Sequence, residues 1–584
     1  MASSIGLATF FAALVLSLNF CHSLRIAPDS YSDSESSEEF LQWHDVTLQN
    51  SEGRDERYTY KSVCYENGRL ELIEGWECHR LVALGRFRNQ INVTGWSYLE
   101  IETKPNADDD AQAYAAGFVE GVLTRRILDY HLANKVNGYC AGFEGYCAKL
   151  KAYFTKNLQY IKDRIEKAHP DDIYWQAVKR SFLQLTGLWD GYRNISGINP
   201  RILYEFHPLL LLNAKGELYD LEKKFNKTKD PVLDGDFGSC SGLIKVAPNN
   251  ADIFISQVTM SGFQNMIRVL KLYKFGYDQA LFPGHTTTFS SYPGMLYSSD
   301  DFALTSSGLA VIETTISIFN ASLFDNIQPY GQLHCWVRAI VSNMLARTAR
   351  EWCKIFSRHN SGTYNNQWSV LDYKRFKPHK ELPNYGLLYV LEQTPGLAKF
   401  KDMSSYLKSK TYFASYNIPF FKSISRISGF DEKAKEMSWF SWSDCPRAKM
   451  FGRDHQSVKD LDSLTRLMRY NDYKHDEFSR CDCNPPYTAE AAISSRGDLN
   501  PANGTYPFPG MGHVNHGALD YKGTNYELQK QLRFRAWSGP PYDQVPVFRW
   551  STFDFAANVS HVGHPDEWAF KFVEYKWETD VSVR

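Results

Sequence analysis

Hydrophobic residues in this chain change their spacing at residue 240, so the fold must combine helix and sheet layers. Before that point apolar residues recur at helical intervals: residues 110–130 carry Ala115, Phe118, Val119, Val122 and Ile127, and 147–168 and 171–189 continue the pattern with charges opposite. Residues 226–237, rich in Lys, Asp and Gly, read as an exposed loop. Beyond it, 240–246 and 252–260 are β-branched runs joined by Ala247-Pro-Asn-Asn-Ala251, the chemistry of a hairpin. Residues 263–275 return to helical spacing, 308–319 read as a buried strand, 333–359 as one long helix, and 367–373 and 387–392 as strands. The expectation is a helical first third and a mixed remainder, with no repeat and no low-complexity linker.

The chain has 65 Lys+Arg against 66 Asp+Glu, a balance that argues against a nucleic-acid binder. At 43% hydrophobic and 15% aromatic residues it is far too apolar for a disordered chain. The apolar run 5–18, followed by Cys21-His-Ser23 and an acidic, Ser-rich stretch, reads as a secretory leader cut near Ser23, although no Lys or Arg precedes it. It is shorter than the roughly 20 residues of a membrane crossing, and no later run is longer, so no transmembrane segment is expected. Six sequons, at Asn92, Asn194, Asn226, Asn320, Asn503 and Asn558, then suggest a glycoprotein. In an oxidising compartment Cys140 with Cys147 and Cys64 with Cys78 are plausible local disulfides, whereas Cys481-Asp-Cys483 looks too tight. No paired C-x-x-C and no H-E-x-x-H is present, so no metal and no cofactor is expected; His513-Val-Asn-His516 reads as a surface loop.

The junction Ser239-Cys240 carries chemistry. An exposed loop runs into a Cys that opens a buried strand. A thiol there can attack the Ser239 carbonyl and cut the chain, leaving thiol and α-amine on one residue. An α-amine titrates at about 7.7–8.0 and can serve as the nucleophile's own base. The plain alternative is an ordinary buried strand cysteine.

The chain resembles the phospholipase B-like family, lysosomal or secreted proteins of the lamina-ancestor type. The resemblance is carried by Gly238-Ser-Cys-Ser-Gly-Leu-Ile-Lys245, Phe289-Ser-Ser-Tyr-Pro-Gly294, Ser299-Asp-Asp-Phe302, Glu313-Thr-Thr315, Asn360-Ser-Gly-Thr-Tyr-Asn-Asn-Gln-Trp368, Ala414-Ser-Tyr-Asn-Ile-Pro419, Pro446-Arg-Ala448, Leu467-Met-Arg-Tyr-Asn-Asp472 and the string from Ser495 to Phe508. It implies the α+β fold of N-terminal nucleophile hydrolases, a four-layer αββα sandwich with two antiparallel sheets between helix layers. It also implies a precursor cut between Ser239 and Cys240, giving residues 24–239 and 240–584 as two associated chains, and it allows a homodimer. Carried over by position, Cys240 matches the nucleophile and Thr315, Asn417 and Arg447 the catalytic pocket. Asn417 can offer its NH₂ to an oxyanion, and Arg447 can keep the thiol's surroundings electropositive.

One position departs from the family. Where mammalian-type members carry a His and then a Trp in the strand after the nucleophile, this chain has Gln257 and Met260 in the pocket, and Gln cannot titrate near neutral pH. Papain-type, G-x-S-x-G and Walker A signatures are absent, and Arg496-Gly-Asp498 is too short a string to establish an integrin ligand. The resemblance thus implies a lumenal hydrolase, secreted or lysosomal, that takes acyl groups from lipid esters or N-acyl amides through a Cys240 thioester. The alternative is a catalytically weak or silent glycoprotein that binds lipid or another ligand in the same pocket.

Overall fold

Alternation along two adjacent strands sets the architecture around residue 240. The computed structural model describes residues 57–228, 230, 232–233, 239–299 and 302–581; the leader expected over 1–23 and half of the 226–237 loop (229, 231 and 234–237) lie outside the described residues. The strands are β1 (Thr59–Glu66), β2 (Arg69–Glu74), β3 (Leu81–Gln90), β4 (Trp96–Thr103), β5 (Ser239–Val246), β6 (Ile253–Ser261), β7 (Arg268–Lys274), β8 (Thr286–Ser291), β9 (Phe302–Thr305), β10 (Leu309–Thr315), β11 (Asn366–Asp372), β12 (Leu388–Thr394), β13 (Leu397–Asp402), β14 (Tyr412–Ser415), β15 (Gly517–Ala518), β16 (Asp520–Thr524), β17 (Arg535–Ser538) and β18 (Val573–Glu574).

β5 and β6 form the expected hairpin, with Cys240 opposite Thr259 and Val246 opposite Ile253. Its turn uses Asn249 and Asn250 at φ 56° and 51°, the left-handed region that Asn tolerates best among residues with a side chain. The hairpin belongs to a seven-stranded sheet ordered β14-β5-β6-β16-β17-β18, with β15 also on β6. The second sheet has eleven strands, ordered β13-β12-β11-β10-β9-β8-β7-β4-β3-β1-β2. Its neighbours pair antiparallel except β4 with β7, which run parallel from Trp96 against Arg268 to Glu102 against Lys274. Ile244, Val246, Ile253 and Ile255 of the smaller sheet and Leu270, Leu272, Ala310 and Ile312 of the larger share one apolar core, so the sheets stack face to face. The far face of the larger sheet is covered by the Asp109–Lys135, Ile173–Tyr192, Cys335–Leu345 and Ala349–Phe356 helices. Pro446–Asp454 and Leu461–Met468 cover the smaller sheet. The outcome is the expected α+β sandwich, helix–sheet–sheet–helix.

The first third is not purely helical: β1 to β4 precede the long helices and complete the larger sheet. Residues 263–275 are not a helix but a 3₁₀ turn (Phe263–Asn265) leading into β7. Two charges within the stretch reach buried partners in other layers: Lys271 Nζ lies 2.6 Å from Glu120 Oε1, and Arg268 forms an ion pair with Asp520 at 2.8 Å. Residues 333–359 form two helices because Thr348 accepts from Glu351 N and starts a second one. Cys64–Cys78 and Cys140–Cys147 are disulfides as expected. Cys481 and Cys483 also pair, with Cα atoms 5.3 Å apart, inside the ordinary range despite the single intervening residue. His516 is buried against Glu490 rather than in a surface loop, and Arg496 is buried on Asp498, so the Arg-Gly-Asp string offers no exposed arginine.

The Asp109–Lys135 and Ile173–Tyr192 helices approach backbone to backbone. Gly117 and Gly121 on one and Gly187 and Gly191 on the other recur at four-residue spacing. A Cβ on Gly117 would collide with the Gln184 carbonyl, and one on Gly187 with that of Tyr114. In the Lys215–Lys224 helix, which belongs to the part before 240, Glu217 accepts from Cys335 N and from the Thr363 hydroxyl, and Asp220 accepts from Asn365. Burial pushes the Glu217 carboxyl from 4.5 up to about 7 and Asp220 from 3.8 up to about 6.

Two outcomes follow. Gly187→Ala should lose about 1–3 kcal/mol to overpacking, outweighing the roughly 1 kcal/mol that Ala gains over Gly in a helix, and a lowered thermal midpoint would record it. A carboxyl raised by burial holds its proton more tightly folded than unfolded. Its contribution to stability is therefore fullest below the unfolded value and falls as pH climbs to about 7 for Glu217. The protein should melt higher at pH 5 than at pH 8, and Glu217→Gln should narrow that gap.

Candidate functional site

On the inner face of the smaller sheet, side chains turn from apolar to polar along each strand: Val246, Ile244, Gly242, Cys240 on β5, and Ile253, Ile255, Gln257, Thr259 on β6. At the polar end the Cys240 strand opens on a cavity of about 440 Å³. One wall comes from before residue 240, including Val136, Tyr139, Leu211, Lys215 and Tyr219. The other comes from after it, including Thr259, Met260, Thr315 and Tyr364.

Four of the residues singled out from sequence converge here. Cys240 donates its backbone N–H to Asn417 Oδ1 at 2.9 Å. Asn417 follows β14, which pairs with β5, and sits at φ 68°. Its Nδ2 donates to the Thr315 carbonyl at 2.9 Å and its N–H to Thr314 Oγ1 at 3.2 Å, so one amide joins the ends of β5, β10 and β14. One hydrogen of the NH₂ read from sequence as an oxyanion donor thus goes to Thr315. Thr315 itself lines the cavity at the end of β10. Arg447 reaches in from the Pro446–Asp454 helix: its Nη1 donates to the Cys240 carbonyl at 2.5 Å and to Ser241 Oγ at 3.3 Å, and Nη2 to the Tyr416 carbonyl at 2.9 Å. Burial lowers the Arg447 pKa, opposed by nearby Cys445, Cys240 and Glu490. Ser239 extends the strand opposite Met260.

Gln257 and Met260 part company. Met260 lines the cavity and takes the Ser495 hydroxyl on its sulfur at 3.2 Å. Gln257 is fully buried beneath it, accepting from Thr259 Oγ1 at 3.2 Å and donating to the Glu313 carbonyl at 3.4 Å.

Sequence reading passed over a charged group behind these residues. Lys522, which faces Gln257 across the β6/β16 ladder, donates to Thr259 Oγ1 at 2.7 Å and to both Asp520 oxygens at 2.7 and 2.9 Å. Asp520 also accepts the Thr259 N–H at 3.1 Å. The signal was the alternation Asp520-Tyr-Lys522, which puts opposite charges two apart on a strand otherwise fit for a core. No group of three or more His, Cys, Asp or Glu able to hold a metal occurs among the described residues. The sequons at Asn92, Asn194, Asn226, Asn503 and Asn558 are exposed. Asn320 is half-buried, with its amide donated to the Ile427 carbonyl.

The family profile described as Phospholipase B matches residues 83–575. "Putative phospholipase B-like 2" of Caenorhabditis elegans is 60% identical over 539 residues, covering 92% of each chain. The human protein of the same name is 43% identical over 88% of each, and "Phospholipase B-like protein B" of Dictyostelium discoideum 33% over 86% of each.

Arg447→Met should unfold more easily by about 2–4 kcal/mol, since the carbonyls of Cys240 and Tyr416 lose a charged donor; a denaturant titration beside wild type measures it.

Proposed function

The chain belongs to the phospholipase B family, and we propose that it is a self-cleaving acyl hydrolase whose nucleophile is Cys240. The observation that carries this reading is the contact between the Cys240 N–H and Asn417 Oδ1 at the mouth of the cavity. In the precursor that nitrogen is the amide of the scissile bond; after scission it is the α-amine, and Asn417 holds it in either state.

In the cut, the thiol adds to the Ser239 carbonyl, the C–N bond breaks as the Cys240 nitrogen takes a proton, and a thioester remains. Water splits the thioester, leaving a carboxyl at 239 and a thiol beside a free amine. The same steps then serve a substrate: the amine takes the thiol proton, the thiolate attacks an acyl ester or amide, the alcohol or amine leaves protonated, and water releases the acid. A cavity of about 440 Å³ walled by Val136, Phe143, Leu211, Leu212 and Met260 suits an apolar acyl chain. Residues 24–239 and 240–584 would remain together, since both supply the cavity wall.

A secretory route, to lysosome or exterior, is supported by three disulfides and the exposed sequons. No described helix is long and apolar enough to cross a membrane.

Intact mass and N-terminal sequencing after incubation at acidic pH, beside Cys240→Ala, test the proposal. A fragment starting at Cys240 in wild type and none in the variant is expected. One uncut chain in both sinks self-cleavage and favours the silent, ligand-binding reading.

A further inference from the structure

Between the two sheets, directly behind the nucleophile, lies a chain of polar groups that the reaction above does not use. Cys240 and Thr259 are cross-strand partners, so their side chains leave the same face with Cβ atoms about 4.5–5.5 Å apart, and both line the cavity. Thr259 Oγ1 gives its hydrogen to Gln257 Oε1 and accepts one from Lys522 Nζ. Lys522 and Asp520 are enclosed, at 0% and 1% exposure, and Arg268 crosses from β7 of the opposite sheet to Asp520.

We propose that Lys522 is a positioning residue for the Cys240 nucleophile: held by Asp520 and seated on the Thr259 hydroxyl, its ammonium favours the thiolate and fixes Thr259 against it. The inference rests on Cys240 being the nucleophile.

Isolated buried ammonium groups are costly, and this one is retained because Asp520 pairs with it. The charged groups facing it are Asp520 on its own strand, Arg268 from β7 and Cys240 from β5. Burial lowers the Lys522 pKa to about 8, Arg268 adds to the lowering, and Asp520 and the Cys240 thiolate oppose it. A thiolate that favours the ammonium is in turn favoured by it. Lys522 is therefore charged at neutral and acidic pH, where a thiol at its ordinary value near 8.5 would be protonated. Arg447 acts from the other side of the strand, on the Cys240 carbonyl, with Glu490 and Cys445 among its own neighbours. With Gln at 257 no imidazole stands in this row, and the titratable cation lies one strand further over, at Lys522.

The test is the pH profile of iodoacetamide alkylation at Cys240, read by mass on the peptide that contains it, with chain scission scored on the same samples. Lys522→Gln should raise the profile's midpoint by about one unit, roughly a tenfold slower reaction at pH 7. Lys522→Arg should restore most of it. Thr259→Val keeps the lysine and the side-chain shape while removing the bridge; it should shift the midpoint in the same direction and decides the matter should Lys522→Gln not fold. An unchanged midpoint in folded Thr259→Val and in any folded Lys522→Gln overturns the proposal. An uncut wild type with a depressed thiol midpoint that Lys522→Gln raises would instead sink self-cleavage alone.

Discussion

The parallel ladder between β4 and β7 is the joint on which this molecule is built. It is where strands from before residue 240 meet strands from after it, and it turns two incomplete sheets of four and seven strands into one of eleven. Both faces of this parallel pair are covered, by the long helices on one side and the smaller sheet on the other, as parallel strands generally are. β7 carries much of this burden: Lys271 reaches Glu120 in the helix layer, while Arg268 reaches Asp520 in the opposite sheet. One strand thereby fixes the distance between three layers.

That spacing explains the position of the cavity. With the smaller sheet set by Arg268 and Asp520, the polar end of β5 and β6 meets the end of β10, and Asn417 closes the corner between them. The residues before 240 are held over this corner by Glu217 and Asp220, whose protons are retained well above the usual carboxylate range. Both carboxyls keep their protons as the pH falls, so the contact between the two halves is firmest in acid.

Short-range signals read well from sequence and long-range ones did not. The β5/β6 hairpin was legible because its turn carries Asn at positions needing positive φ and its strands are β-branched. β7 was not, because Arg268, Lys271 and Lys274 imitate the charged stripe of a helix; only the partners of Lys271 and Arg268, Glu120 and Asp520, 151 and 252 residues away, show otherwise. β1 and β2 carried a local signal that went unread, the Asn67-Gly68 turn between them at φ 51° and 82°, whereas the joining of β4 to β7 is long-range. Cys240, Thr315, Asn417 and Arg447 came from resemblance, and the fold brings them together. Lys522 came from neither, since nothing local says that an Asp-x-Lys pair will end up inside.

The disulfides have a consequence for how the molecule is wired. Each closes a short loop on one side of residue 240: Cys64 to Cys78 and Cys140 to Cys147 on one, Cys481 to Cys483 on the other. Among the described residues no sulfur crosses the boundary. As a graph of covalent bonds the protein is two locally knotted pieces joined by a single edge, the peptide between Ser239 and Cys240, and all other linkage between them is reversible. Removing that edge would convert folding from a property of one chain into an equilibrium between two, with concentration as a new variable.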